Sequence, residues 1–322
     1  MTSQLGLFGA SQAAALAETH EEVRSLAASL PPNVFLGTSS WAFPGWQGIV
    51  YSANETPSNL ARNGLLEYSR HPLLRTVEID RSYYAPVPPE DLRRYAEQLP
   101  SGYRCCIKAP ATVTSAVLPA RTPVPQANPD YLSVELLERE LLEPLATSFA
   151  DHAGPIVLQF PPQPARFRLS PRVFADRLDH FLERLPRDFR YSVEVRDPQW
   201  LTPEYGRVLA RHGVAHTYSF WSSLPMPAPQ ESQLPISHAP FTMLRLMLPP
   251  GTAYEGRREN FRPFDRLAEP HPEMRKQVVA LIRKRVAAGG DVFVIANNKA
   301  EGSAPLTVRA LAEMLVSTVD ER

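Results

Sequence analysis

Cysteine is scarce in this chain: its 322 residues include two, Cys105 and Cys106, side by side. Neighbours on a strand project to opposite faces, so they form no disulfide framework, and a reducing compartment is the expected setting. An excess of one charge is also missing, because 34 Lys and Arg balance 34 Asp and Glu. That argues against a protein held on nucleic acid mainly by bulk positive charge. There is no run of about 18 apolar residues, which argues against a membrane-spanning helix. The start of the chain has neither a basic segment nor a following apolar block, so a cytoplasmic protein is expected. Of eight histidines, only His216 falls within an expected strand, which leaves no cluster of nitrogen donors for a metal. Neither G-x-G-x-x-G nor G-x-x-x-x-G-K-[ST] follows a strand, and no serine sits in a nucleophile elbow.

What the chain does have is rhythm. Past Pro32, β-rich apolar runs alternate with longer helical patterns, the signature of parallel βα units. The expected strands are Val34 to Thr38, Thr76 to Asp80, Arg104 to Ala109, Ile156 to Phe160, Tyr191 to Arg196, Val214 to Ser219, Phe241 to Met247 and Val292 to Ala296. Helices are expected over Asn59 to Tyr68, Pro89 to Leu99, Val134 to Asp151, Pro171 to Leu185, Pro203 to His212, Pro272 to Ala288 and Ser303 to Thr318. Ser170 and Thr202 stand as N-caps before first-turn prolines, and Gly213 and Gly289 end helices. Eight strands in this order predict an α/β fold, a single (β/α)8 TIM barrel over residues 33–322, preceded by a tail and helix over 1–32. Two proline-rich connections, 110–132 and 222–240, follow the third and sixth strands and are expected to be irregular lids or binding walls.

Buried parallel strands normally read as apolar runs, so polar residues late in them need a reason. Glu78, Asp80, Lys108, Gln159, Glu194, Arg196, Arg245, Asn297 and Asn298 all lie at or just past strand ends. In a barrel that is the carboxyl-terminal mouth, where active sites of this fold are found. Alternation places Thr76, Glu78 and Asp80 on one face and Ser192, Glu194 and Arg196 on another, both facing inward. Arg196, Arg245 and Lys108 would form an anion-receptive floor, and Glu78 or Glu194, raised by burial, would serve as general base. The bland alternative is an interior salt-bridge layer that supports the barrel. No resident metal or cofactor is expected; an oxygen-only Mg²⁺ site from Glu78 and Glu194 is kept as a minor alternative.

The loop after the first strand, G-T-S-S-W-A-F-P-G-W from Gly37, carries aromatics that are expected to be exposed and to wall a site, with Trp41 as a stacking surface. This segment, with T-V-E-I-D-R-S-Y-Y from Thr76, I-K-A-P from Ile107, G-P-I-V-L-Q-F-P-P from Gly154, V-E-V-R-D-P-Q-W from Val193 and A-N-N-K-A-E-G-S-A-P from Ala296, resembles the YecE-like family, a domain of unknown function. The resemblance implies a TIM barrel and a site drawn from Trp41, Glu78, Tyr83, Lys108, Gln159, Glu194, Arg196, Trp200, Arg245 and Asn297. It implies no defined reaction. The chain departs from the family pattern at Ser40, commonly glycine, and at Lys299.

Near the start, Gln4, Leu5, Leu7 and Phe8 resemble the short peptide by which bacterial DNA-maintenance proteins dock on the polymerase sliding clamp, with Leu7 and Phe8 as apolar anchors. The competing reading packs these residues onto the barrel. Together these features predict an enzyme using acid/base chemistry on a small polar or anionic ligand, nucleotide-derived if the peptide recruits the chain to DNA. The alternatives are a non-catalytic ligand-binding adaptor in DNA maintenance and a sugar isomerase or glycosidase-like enzyme working through Glu78 and Glu194.

Overall fold

The alternating runs become eight parallel strands: β1 (Val34–Thr38), β2 (Thr76–Ile79), β3 (Cys105–Lys108), β4 (Ala153–Phe160), β5 (Tyr191–Val195), β6 (Ala215–Phe220), β7 (Phe241–Leu246) and β8 (Asp291–Ala296). They pair in chain order and β8 closes on β1, giving the (β/α)8 barrel. The computed structural model describes residues 21–118, 124–235, 239–252 and 256–317, without the side chains of 257 and 258. The peptide at residues 4–8 lies outside these. Among the described residues no helix is long and apolar enough to cross a membrane.

Period-two alternation sorts the strands into two faces. Cys105 packs outward among the helices, while Cys106 points inward beside Val157, Ala215, Met243, Phe293 and Ile295. Phe35 and Phe293, opposite each other in the β1–β8 register, stack at 4.6 Å and fill the amino-terminal half of the barrel. Gly37 is required by packing: a Cβ there would lie 1.9 Å from the Thr76 carbonyl oxygen of β2. The β3–β4 register slips between Cys105 and Ile107, beside Pro155, which has no N–H for the ladder.

The helix starts follow the capping residues. Ser170 accepts from Val173 N and Thr202 from Tyr205 N, and Gly213 ends its helix at φ 65°. The expected helix Val134 to Asp151 is interrupted: Val134–Leu137 passes through a π turn, Glu138–Leu142, into Glu143–Ser148. Pro144 explains the break, since it cannot donate back along the helix. The expected helix Asn59 to Tyr68 starts earlier, at Pro57 behind the Thr56 cap, and is divided at Gly64. The connection after β6 is not wholly irregular, because Pro227–Gln233 is helical with its prolines in the first turn, where no donor is needed. Residues 21–28 form a helix whose Val23 and Ala27 join the core, and the Arg75 guanidinium donates to the Ala27 and Pro31 carbonyls.

Candidate functional site

At the carboxyl-terminal mouth the inward face turns from apolar to charged. Arg245 on β7, 1% exposed, donates from Nη2 to Glu78 Oε2 at 2.7 Å and from Nη1 to Glu194 Oε2, with Gln159 Oε1 3.2 Å from Nη1. Glu194 on β5 also accepts from Arg196 Nε at 2.9 Å and from Ser219 Oγ at 3.4 Å. One guanidinium thus joins β2, β4 and β5 across the lumen. Among the described residues, Glu78 Oε1 and Arg245 Nε have no hydrogen-bond partner.

Above this layer lies a cavity of about 220 Å³, bordered by Asp80, Tyr83, Tyr84, Lys108, Gln159, Arg196, Trp221, Arg245, Asn297 and Lys299, with Ser39, Pro161 and Met247. It is smaller than typical drug-sized sites of ~300–1,000 Å³. Lys108 Nζ is 2.8 Å from Asp80 Oδ1 and 3.8 Å from the centre of the Tyr83 ring. Ser82 fixes this corner by donating to the carbonyls of Ile79 and Lys108 at 2.8 and 2.7 Å. On the opposite side the Arg196 guanidinium lies 3.7 Å above the Trp221 ring. Asn297 donates to Ser39 Oγ at 2.8 Å and caps the turn that carries Lys299.

The two buried carboxylates are electrostatically unlike. Burial pushes the Glu78 carboxyl up, more than Arg245 pulls it down. Burial would push Glu194 up as well, but Arg245 and Arg196 together outweigh it and hold it at about 2. Burial lowers the Lys108 ammonium; Asp80 opposes that, and Arg245 and Arg196 add to it. Burial holds Tyr83 at about 12. His216 on β6 is removed from the site, bonded to Tyr205 Oη and Gln230 Oε1, and burial depresses it to about 4, which keeps the imidazole neutral. Among the described residues no three His, Cys, Asp or Glu side chains are grouped to hold a metal. A larger hollow of about 320 Å³ outside the barrel, between the helix Pro203–His212 and β6, is mostly apolar and gathers no acid–base set.

The model of the family described as "Protein of unknown function DUF72" matches residues 35–322. The chain belongs to the DUF72 family. The YecE protein of Escherichia coli K12, named UPF0759, is 33% identical over 167 residues, which is 52% of this chain and 50% of that relative. The chain therefore matches only about half the length of this curated relative. Two solved DUF72 proteins share the fold: one from Thermotoga maritima (TM-score 0.60, 20% identity, covering 88% of this chain and 99% of that one) and one from Enterococcus faecalis (TM-score 0.61, 15% identity, covering 89% and 97%).

Within this DUF72 barrel, Tyr83, Lys108, Gln159, Arg196, Arg245 and Asn297 come together at the cavity. Glu78 and Glu194 are fully buried one layer below and do not border it. Three expected residues lie elsewhere. Trp41 is 5% exposed, donates to the Leu60 carbonyl at 2.9 Å and meets Tyr95 edge-on. The loop after β1 folds back on the surrounding helices, so it is not the exposed aromatic wall expected of it; Trp46 is 0% exposed. Trp200 stacks on Phe174 at 4.0 Å and donates to the Leu169 carbonyl. Asn298 accepts from Trp46 Nε1 and Ala304 N, tying two loops together. Of the two long connections read as lids or binding walls, neither 110–132 nor 222–240 supplies a described residue to the cavity, and 119–123 and 236–238 lie outside the described residues. Trp221 was missed by sequence reasoning, although Thr217, Ser219 and Trp221 continue one face of β6 past its end.

Proposed function

We propose that this DUF72 protein is an enzyme that draws a small anionic substrate into the carboxyl-terminal mouth and moves a proton on it through Lys108. One observation carries the reading: among the described residues, four cations, Lys108, Arg196, Arg245 and Lys299, border the cavity against one lining carboxylate, Asp80. Glu78 and Glu194 neutralise the cluster from beneath and hold Arg245 in place, so its guanidinium is preorganised before a ligand arrives. Lys108, lowered by burial, exchanges its proton with Asp80 at 2.8 Å. The carboxylates act here as positioning groups. Both are bonded to one guanidinium and neither borders the cavity, which weighs against a glycosidase pair and against a Mg²⁺ site built on them.

The test uses Trp221, the one tryptophan that borders the cavity. Titrating the full chain with oxalate or phosphate should change its fluorescence saturably, and Arg196→Gln should remove most of the response. No response in the parent, or an undiminished one in Arg196→Gln, would defeat the reading. Recruitment to the sliding clamp through Gln4, Leu5, Leu7 and Phe8 is a separate proposal. Leu7→Ala with Phe8→Ala should abolish clamp pull-down, and retained capture would end it.

A further inference from the structure

We propose that Lys108 is an imine-forming nucleophile whose substrate is a small 2-oxo acid, with the carboxylate on the arginines and the keto or aldehyde carbon facing the lysine. The proposal rests on the anionic-substrate reading above and names its substrate class.

The chain uses arginine almost wherever it needs a cation: of 34 basic residues, four are lysines, Lys108, Lys276, Lys284 and Lys299. At the floor of an anion pocket arginine would hold a carboxylate better, through two parallel bonds. What lysine offers instead is a nitrogen that can lose its proton and attack. Lys108 is placed for that. Its side chain is 5% exposed, it borders the cavity, and Arg196 and Arg245, which border the same cavity, disfavour a third positive charge. Asp80 Oδ1, 2.8 Å away, receives the ammonium proton.

The neutral amine then attacks. Its lone pair forms the C–N bond while the carbonyl π pair moves to oxygen, which is protonated to give a carbinolamine. Both amine protons finally leave with that oxygen as water, and a C=N bond remains. No oxidant or second substrate enters this step.

Imine formation is read by trapping. The full chain is incubated with glyoxylate or pyruvate, reduced with borohydride, which delivers hydride to the imine carbon, and mapped by peptide mass spectrometry. The expected label is confined to the Lys108 peptide, is blocked by oxalate, which has no keto or aldehyde carbon, and is lost in Lys108→Arg. Lys276 and Lys284 are exposed, so random glycation marks them first. Label on those two with Lys108 unmodified, or no label at all, overturns the proposal, and both outcomes are read on the unaltered protein. If oxalate still changes Trp221 fluorescence while Lys108 is never trapped, only the imine falls. If oxalate does nothing either, the anionic-substrate reading falls with it.

Discussion

The two halves of the barrel interior are built from the same eight strands and solve the packing problem differently. The amino-terminal half carries no charge: Phe35, Val157, Ala215, Met243 and Phe293 fill most of it, with the phenylalanines stacked, and its polar members are hydroxyls such as Thr76 and Ser192. The carboxyl-terminal half holds Glu78, Glu194, Arg245, Arg196 and Lys108, and its most buried members are 0–4% exposed. Apolar side chains fill such layers without losing hydration, whereas each buried ion gives up several kcal/mol of it and recovers that only through close pairing. The lower layer is therefore explained by folding alone. The upper one needs a further reason, and the ligand role proposed for the cavity directly above would be one.

The largest effect is expected at Arg245. Arg245→Met strands two carboxylates in the lumen and is expected to cost about 3–5 kcal/mol of stability and the oxalate response together, measured by denaturant unfolding and Trp221 fluorescence. Phe293→Ala should cost about 3 kcal/mol through its cavity, yet leave oxalate affinity unchanged. Acid separates the contributions further. His216 has a folded pKa of about 4 against an ordinary 6.5, so its contribution is complete above pH 6.5 and is lost as pH falls through about 4. Glu194 follows the same sign lower down: its contribution is complete above its ordinary 4.5 and is lost as pH falls through about 2. Stability against pH should fall in these two windows, each by something on the order of 2–3 kcal/mol, and His216→Asn should flatten the upper one. The smallest effect is expected outside the barrel, where Arg211→Ala at the Asp179 pair, 64% and 26% exposed, should leave Tm unchanged.

Much of this was legible in the residues. Strand order followed from period, and the charged layer from polar residues late in parallel strands, where core packing gives no reason for them. Helix starts followed from Ser170 and Thr202. The aromatics were harder. A tryptophan in a glycine- and proline-rich loop can face a ligand or a helix, and only the path of the chain decides; Trp41 and Trp200 face helices, and Trp221 faces the cavity. The layering of the charges was hidden for a related reason. Alternation tells which side chains point inward, but that Glu78 and Glu194 stop below Arg245 depends on side-chain reach across the lumen. Pro144 and the prolines of 227–233 show how one residue type breaks one helix and opens another, depending on whether a donor is needed there.

If the charged layer serves a ligand and not the fold, thermal unfolding of the triple variant Glu78→Leu, Glu194→Leu, Arg245→Met, with and without oxalate, should show a Tm at or above that of the parent and no shift on adding oxalate, which should stabilise the parent. A variant that no longer folds, or one that folds and is still stabilised by oxalate as the parent is, would contradict it.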